Sequence, residues 1–506
     1  MRFDRRHRSR PAVLGIMILA VLAGCKDEVG ADRTPKPVPL GPPLANRVDT
    51  QNVILISVDT LRADHLACYG HEFVRSPAID GLAAEGMLFT QHVGAAPTTL
   101  PSHTSLMTGT YPHTHGIPKQ AYVVHPDNVM LAEMLKDAGF VTGAFIGAFP
   151  LDASFGFDQG FEHFDARFDL EKEDTVRDQA QRRAEAITDS VIDWLDSRQP
   201  APDERLFLFI HYFDVHWPYD APPPHRGMYR RDSLSVGTTM EDIRRVQDLL
   251  REPATHDEGL KYARALDAEY CAEITYCDYH IDRLFRALRN RRLYDNSLIV
   301  LTSDHGETQH EHENVFNHGW SVYDTEIHIP LILRFPGGRF GGRREDRLCS
   351  NVDVAPTILH LLNLPGHDGL EGESFAGLID APLPPRDPVF AEATQPWTLP
   401  QFNDPDWRNQ TKYQCARTDR YKYVARLGDG RSEFYDLQRD PAEQVNLLVS
   451  AQPYDRAVFE RMSRLLDEWR AGARPFPSRE LQEDDTREKL KRLGYVEDND
   501  NQGPRQ

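Results

Sequence analysis

The chain has 506 residues, of which 40% are hydrophobic and 27% charged, and its formal net charge is −20. That is globular composition, with room for one large domain and a smaller one. So acidic a balance argues against a nucleic-acid backbone as partner.

The N-terminus reads as a targeting segment. Arg2, Arg5, Arg6, Arg8 and Arg10 precede an apolar stretch, Ala12–Ala23, that is too short to cross a bilayer. Leu22–Cys25 reads LAGC, small residues ahead of a cysteine, which resembles a bacterial lipoprotein signal cut before a lipidated Cys25; an ordinary secretory signal is the alternative. Loss of residues 1–24, with five Arg and one Asp, would leave a mature chain of net charge −24. A lipid at Cys25 would hold an otherwise soluble protein on the periplasmic or outer-surface side of a bacterial envelope. Residues 25–46 hold five prolines and little apolar mass, as an extended tether would. The other cysteines, Cys68, Cys271, Cys277, Cys349 and Cys415, are odd in number and include no CxxC pair, so neither a zinc ribbon nor a disulfide framework is expected.

Order should begin at Asn52. NVILIS, 52–57, is a continuous branched apolar run of buried-strand length. In the stretch PTTLPSHTSLMTG, Ser102 or Thr104 is placed to cap a helix that continues through Leu106 and Met107. Leu131, Met134, Leu135 and Ala138 are helix-spaced, with Gly139 as the terminator, and FVTGAFIG follows as a strand. Val176, Ala180, Ala184, Ile187, Val191 and Trp194 form one stripe of a long helix. RLFLFIHYF, 205–213, is a second buried strand, and residues 222–258 read as loops able to cover a pocket. Ile274, Ile281, Leu284 and Leu288 mark a helix that leads into the strand SLIVLTS, 297–303; Ile329–Phe335 is one more strand. Further on, EFYDLQRDP alternates and then turns at Asp440–Pro441, and Ala457–Arg470 is an amphipathic helix. Strands alternating with helices imply a mostly parallel sheet covered on both faces, with ligands beyond the carboxyl ends of its strands.

Those strand ends carry the chemistry. Asp59 follows NVILIS, Asp304-His305-Gly306-Glu307 follows SLIVLTS, and His211 and His216 follow LFLFI. Singly, each acid could be a helix cap. Together, two Asp and a His aimed at one crevice make an oxygen-rich site for a divalent cation, whether calcium, magnesium, manganese or zinc. His305 and His318 each sit beside a glycine, which lets backbone approach a ligand, whereas His310 and His312 read as a solvated loop. A threonine at 98 or 99, ahead of a helix N-terminus and beside a cation, has the surroundings of an activated nucleophile.

With these residues in place, the chain resembles the sulfatase branch of the alkaline phosphatase superfamily over roughly residues 50–450. The resemblance lies in NVILISVDTLRADHLACYG, PTTLPSHTSLMTGTYPHTHG, FDVHWPYDAPP, LIVLTSDHGE, and the pair NVDVAPTILHLLNLPG and EFYDLQRDPAEQVNLL. It implies an alkaline-phosphatase-like α/β fold with a small C-terminal α+β subdomain: a catalytic domain at 47–385, the subdomain at 386–480 and a charged tail at 481–506. It also implies that Asp59, Thr99, Asp304 and His305 hold one divalent metal ion. Thr99 would be the nucleophile, and His216 and His318 would contact the transferring anion or the leaving group. There are departures. Thr99 replaces the Cys or Ser that sulfatases oxidise to formylglycine, so no formylglycine is expected. His103 stands for an arginine and Thr60 for a second aspartate, and GAFIGAFPL, 143–151, lacks the family's Gly-Lys-x-His. A plain threonine ester must be cleaved by water, which is routine for phosphoryl groups and slow for alkyl sulfates. Three readings follow: a metal-dependent hydrolase or transferase of phosphoric esters and diesters; a sulfuric ester hydrolase; and a non-catalytic binder of sulfated or phosphorylated glycans.

Overall fold

The computed structural model describes residues 36–168, 181–198, 203–231, 234, 236–237, 239–312, 315–394, 412–427, 430–477 and 479–480. The leader with Cys25, the first part of the tether and the charged tail lie outside these residues, as do Val176 and Ala180 of the expected helical stripe.

In chain order the main elements are β1 (Asn52–Val58), α1 (Pro77–Glu85), β2 (Met87–Phe89), α2 (Thr99–Thr108), α3 (Leu131–Asp137), β3 (Phe140–Phe145), β4 (His163–Asp165) and α4 (Ala184–Ser197). Then come β5 (Arg205–Tyr212), α5 (Met240–Arg251), α6 (His256–Asn290), β6 (Ser297–Thr302), α7 (Asp324–Ile327), β7 (Leu331–Arg334), β8 (Arg343–Glu345) and α8 (Val354–Leu361). The C-terminal part adds β9 (Val389–Thr394), β10 (Lys412–Arg417), β11 (Tyr421–Arg426), β12 (Ser432–Asp436) and α9 (Arg456–Ala471).

Eight strands form the main sheet in the order β8-β2-β7-β6-β1-β5-β3-β4. β1 lies at its centre, parallel to β5 (Val53 opposite Phe207) and to β6 (Ile54 opposite Ile299). Alternation along β1 sends its side chains to two cores. Ile54, Ile56 and Val58 join one with Ile79, Ile187 and Ile281 of α1, α4 and α6. Val53 and Leu55 join the other with Leu106, Leu135 and Ile358 of α2, α3 and α8. A strand buried on both faces has no polar side to show, which is why Val53–Ile56 are apolar without alternation.

Four expectations need correcting. Ile329–Phe335 is strand only at β7, and β7 runs antiparallel to both β6 and β2, so the sheet is mixed. α4 begins at Ala184, because Arg182 is held by Gly147 and cannot be helical there. Residues 222–258 are not all loop: the side chain of Thr239 caps α5 in a capping box with Asp242, and α6 starts at His256. Finally, α2 starts at Thr99, so Ser102 and Thr104 are inside the helix and Thr104 bonds back to the Leu100 carbonyl.

β9 to β12 form a four-stranded antiparallel meander with α9 packed on it through Met462 and Leu466. Phe434, Tyr435 and Leu437 are buried, as expected of core residues. Among the described residues no helix is long and apolar enough to cross a membrane.

Candidate active site

The carboxyl ends of β1, β5 and β6 meet, and the residues after them converge with the first turn of α2. Asp59 leaves β1 with its backbone N–H on the Tyr212 carbonyl. Thr60 then takes the left-handed region (φ 55°), an unusual state for a branched residue. That turn points its N–H at Asp304 Oδ1, 3.2 Å away. After β6 the chain needs Gly306, since a Cβ there would lie 2.3 Å from the Thr325 carbonyl oxygen. Helix α2 is tied to the same spot: Ser102 Oγ donates to the Asp304 carbonyl at 2.7 Å, and Asn351 holds Ser102 in turn. Thr99, the first residue of α2, is thereby fixed beside Asp59.

Asp59, Asp304 and His305 are all buried, and one ligand atom from each lies within 4.8 Å of the others. Each has one polar atom engaged and one without a hydrogen-bond partner. His211 Nε2 donates to Asp59 Oδ2 at 3.2 Å, leaving Oδ1 alone. The backbone N–H groups of Thr60 and His305 take Asp304 Oδ1, leaving Oδ2. His305 Nδ1–H donates to the Gly306 carbonyl at 2.9 Å, leaving the Nε2 lone pair. The hydroxyls of Thr60 and Thr99 are likewise buried and unpartnered. Buried polar atoms are nearly always paired, so five without partners in one place mark a binding site. Carboxylate oxygens, a hydroxyl and one imidazole nitrogen are the donor set of a divalent cation. Burial raises the Asp59 carboxyl well above its usual range and the Asp304 charge adds to it, while His305 and the Thr99 hydroxyl oppose this. A cation would relieve the repulsion between the two acids.

A second group, His65, His71 and Cys271, is equally close. There, however, both His65 nitrogens are engaged, with Asp64 at 2.8 Å and Asp267 at 3.1 Å, as suits an imidazolium between two carboxylates better than a metal ligand.

Two imidazoles line the protein side of the cluster. His103 Nδ1–H donates to the Thr99 carbonyl at 2.8 Å and its Nε2 accepts from Ser57 Oγ at 2.9 Å. His211 Nδ1 accepts the Gly147 N–H at 3.3 Å, which fixes Nε2 as the donor to Asp59. Burial lowers His103 to about 3 and His211 to about 4, so both are neutral. On the other side, the His318 ring lies 4.5 Å from His305 and 5.0 Å from His216. His318 Nδ1 is 3.2 Å from Glu307 Oε1, and His216 Nδ1–H donates to the Trp217 carbonyl at 2.7 Å.

The geometry therefore brings Asp59, Thr99, Asp304, His305, His103, His216 and His318 to one locus. His312 is turned away, stacked on Tyr323 at 3.8 Å. In the sequence His211 stands at a strand end with no sign of its contact to Asp59, and Ser57, Ser102 and Asn351 carry no signal as supports of the site. Only the strand-end rule pointed toward His211.

Comparison with known proteins places these observations. A family model described as "Sulfatase" matches residues 51–364, and one described as "N-sulphoglucosamine sulphohydrolase, C-terminal" matches residues 311–471. An ulvan-active sulfatase of Formosa agariphila is 26% identical, the match covering 90% of this chain and 88% of that protein. The phosphonate monoester hydrolase of Agrobacterium radiobacter superposes with a TM-score of 0.66 at 23% identity, over 85% of this chain and 97% of its own. A structure solved in complex with its substrate D-glucosamine-2-N,6-O-disulfate gives 0.67 at 20%, over 83% and 98%.

Proposed function

Because the chain belongs to the sulfatase family, with its alkaline-phosphatase-like α/β fold, we propose that this ester hydrolase cleaves phosphoric esters, diesters above all, through Thr99. One observation carries the reading. The residue at the head of α2, with a buried, unpartnered hydroxyl beside Asp59, is a threonine, which has a single hydroxyl and cannot become a gem-diol.

Asp59, Asp304, His305 and Thr99 would hold the cation, which when bound supplies positive charge to the nucleophilic and equatorial oxygens. The rest belongs to the chain. The Thr99 hydroxyl gives its proton to solvent as its oxygen attacks phosphorus in line, and the bond to the leaving oxygen breaks. His216, with Nδ1–H on a carbonyl, gives that leaving oxygen a proton from Nε2 when the ring is in its imidazolium form. Water then cleaves the Thr99 ester. Where sulfatases carry an arginine, His103 is neutral; less fixed positive charge suits the single charge of a diester better than a dianionic monoester.

The second reading, sulfuric ester hydrolysis, is supported by the family match and by the ulvan-active relative. A side-by-side assay separates the two: p-nitrophenyl sulfate, p-nitrophenyl phosphate, bis(p-nitrophenyl) phosphate and p-nitrophenyl phenylphosphonate, with metal content measured on the same sample. Preference for bis(p-nitrophenyl) phosphate is expected. Turnover of the sulfate alone would replace this reading with the second, and a bound metal with no turnover of any ester would make the protein a binder.

We also propose that Cys25 carries a lipid and that the enzyme works at the cell envelope, as the LAGC segment supports. Cys25→Ser should move the protein from the membrane fraction to the soluble one.

A further inference from the structure

We propose that Tyr270 is a positioning residue of the cation site: its hydroxyl locks the left-handed turn at Thr60, whose N–H in turn holds the Asp304 carboxylate beside Asp59 and His305. The inference rests on the cation reading above and is independent of the nucleophile.

A threonine at φ 55° is strained, because its branched Cβ crowds the backbone in the left-handed region. Among the described residues Thr60 is the only β-branched one with a positive φ. Such a conformation persists only where its surroundings over-determine it, and strain of this kind collects at functional sites. Here the constraint comes from α6. Tyr270 is fully buried on that helix, and its hydroxyl donates to the Thr60 carbonyl at 2.8 Å and accepts the Arg62 N–H at 3.0 Å. One oxygen thus closes both ends of the turn 60–62. Between them the Leu61 N–H reaches Ser303 Oγ at 3.1 Å, and that hydroxyl donates to the His305 carbonyl at 2.7 Å. The turn after β1 is thereby stitched to the turn after β6.

The consequence falls on Asp304. Its Oδ1 accepts only backbone N–H groups from this seam, Thr60 at 3.2 Å and His305 at 2.8 Å, which turns Oδ2 toward the other ligands. Oδ2 lies 3.3 Å from His305 Nε2, and Asp59 Oδ1 lies 3.9 Å from the same nitrogen. Leu61 is fully buried in the core with Ile79 and Ile281, so it cannot follow a relaxing turn. If Thr60 moved to an ordinary φ, the peptide between Asp59 and Thr60 would have to rotate, and its N–H would leave Asp304 Oδ1. The Tyr270 ring packs edge-on against His65 at 5.1 Å and Tyr219 at 5.6 Å, contacts that a phenylalanine keeps. Tyr270→Phe therefore removes one oxygen and little else.

The test is titration of the chelated, purified protein with Mn²⁺, with free ion read by electron paramagnetic resonance and melting temperature measured on the same samples. Tyr270→Phe should raise the Kd about 10-fold, as loss of a group that orients a ligand does. Thr60→Asn supplies a residue that accepts the left-handed region, so in that background the same change at 270 should cost about threefold or less. A hydroxyl that served only the fold would lower the melting temperature in both backgrounds and leave the Kd of the folded protein alone. An unchanged Kd in Tyr270→Phe, or equal losses of affinity in the two backgrounds, would overturn the proposal. So would a Tyr270→Phe chain that folds in neither background, whereas folding and affinity regained with Thr60→Asn would support it. Asp304→Ala tests the reading beneath: if that variant binds Mn²⁺ as wild type does, the ion lies elsewhere and the cation reading has failed, a separate outcome.

Discussion

Thr99 is where the chemistry and the family pattern part company, and its substitution has a sharp expected outcome. Thr99→Ala should cost about four or more orders of magnitude in kcat, because removing a nucleophile removes the covalent route. Its hydroxyl bonds no protein group outside the cation cluster, so the melting temperature of the metal-free protein should hardly move. A variant that keeps turnover would end the assignment. His211→Ala asks a different question. His211 holds Asp59 Oδ2, which leaves Oδ1 free, so its loss should weaken metal binding by about 10–100-fold, read by titration of the purified protein with Mn²⁺. Unchanged affinity would mean that Asp59 needs no such support. Asp59, Thr99, Asp304 and His305 were legible because each follows a buried run or opens a helix, and those signals are local. The His211–Asp59 and Glu307–His318 contacts were not. The first joins residues 152 apart, and which of two strand-end histidines reaches an acid depends on the register between β1 and β5.

At the scale of elements, the loop that carries His318 is anchored from the C-terminal sheet. Lys422 of β11 is fully buried and bridges Asp324 at 2.7 Å and Glu443 at 2.8 Å, while Arg417 of β10 grips Asp324 at 2.8 Å. Breaking a buried ion network from one side leaves charge without a partner, so Lys422→Met should lower the unfolding free energy by about 3–5 kcal/mol in urea denaturation. A loss under about 1 kcal/mol would show the network to be dispensable. Glu326, in α7, accepts from the Ser321 hydroxyl and from the Gly319 and Ser321 N–H groups, yet burial pushes it up to about 7. The sign follows from linkage. The folded state holds a proton on Glu326 that the unfolded chain releases near its ordinary value, so this stabilisation is complete at low pH and is lost as pH rises through about 7. Glu326→Gln carries no such titration. Relative to wild type it should gain up to about 3 kcal/mol between pH 4 and pH 8, and a flat difference would contradict the shift. Helix stripes and buried runs in the sequence located most of these elements. Strand direction was not legible: Ile329–Phe335 is apolar whether it pairs parallel or antiparallel, and only the short connection from α7 to β7 makes it run backwards.

For the whole molecule, the proposed cation ligands tie together elements distant in sequence: β1, the head of α2 and the end of β6. Removing the metal should therefore act on global stability as well as on turnover. Without a cation, Asp59 and Asp304 face each other in a buried site, and the folded state pays for that repulsion most when both are ionised. Burial and the Asp304 charge raise the Asp59 carboxyl, so the apo protein is relieved by protonation at low pH and loses that relief as pH rises through the raised value. Metal binding needs both carboxylates ionised and so strengthens over the same range. The chelated protein should melt below the metal-loaded one. At a metal concentration about 1,000-fold above Kd, the restored stability should reach about 4 kcal/mol, provided the unfolded chain does not bind the ion. The gap in melting temperature should widen from pH 5 to pH 8. In Asp304→Ala, which removes one ligand and the repulsion together, the apo protein should lose only the part of its pH dependence that the Asp304 charge causes, and the gap should nearly close. A gap that persists in that variant, or one that narrows as pH rises in wild type, would place the ion elsewhere in the molecule.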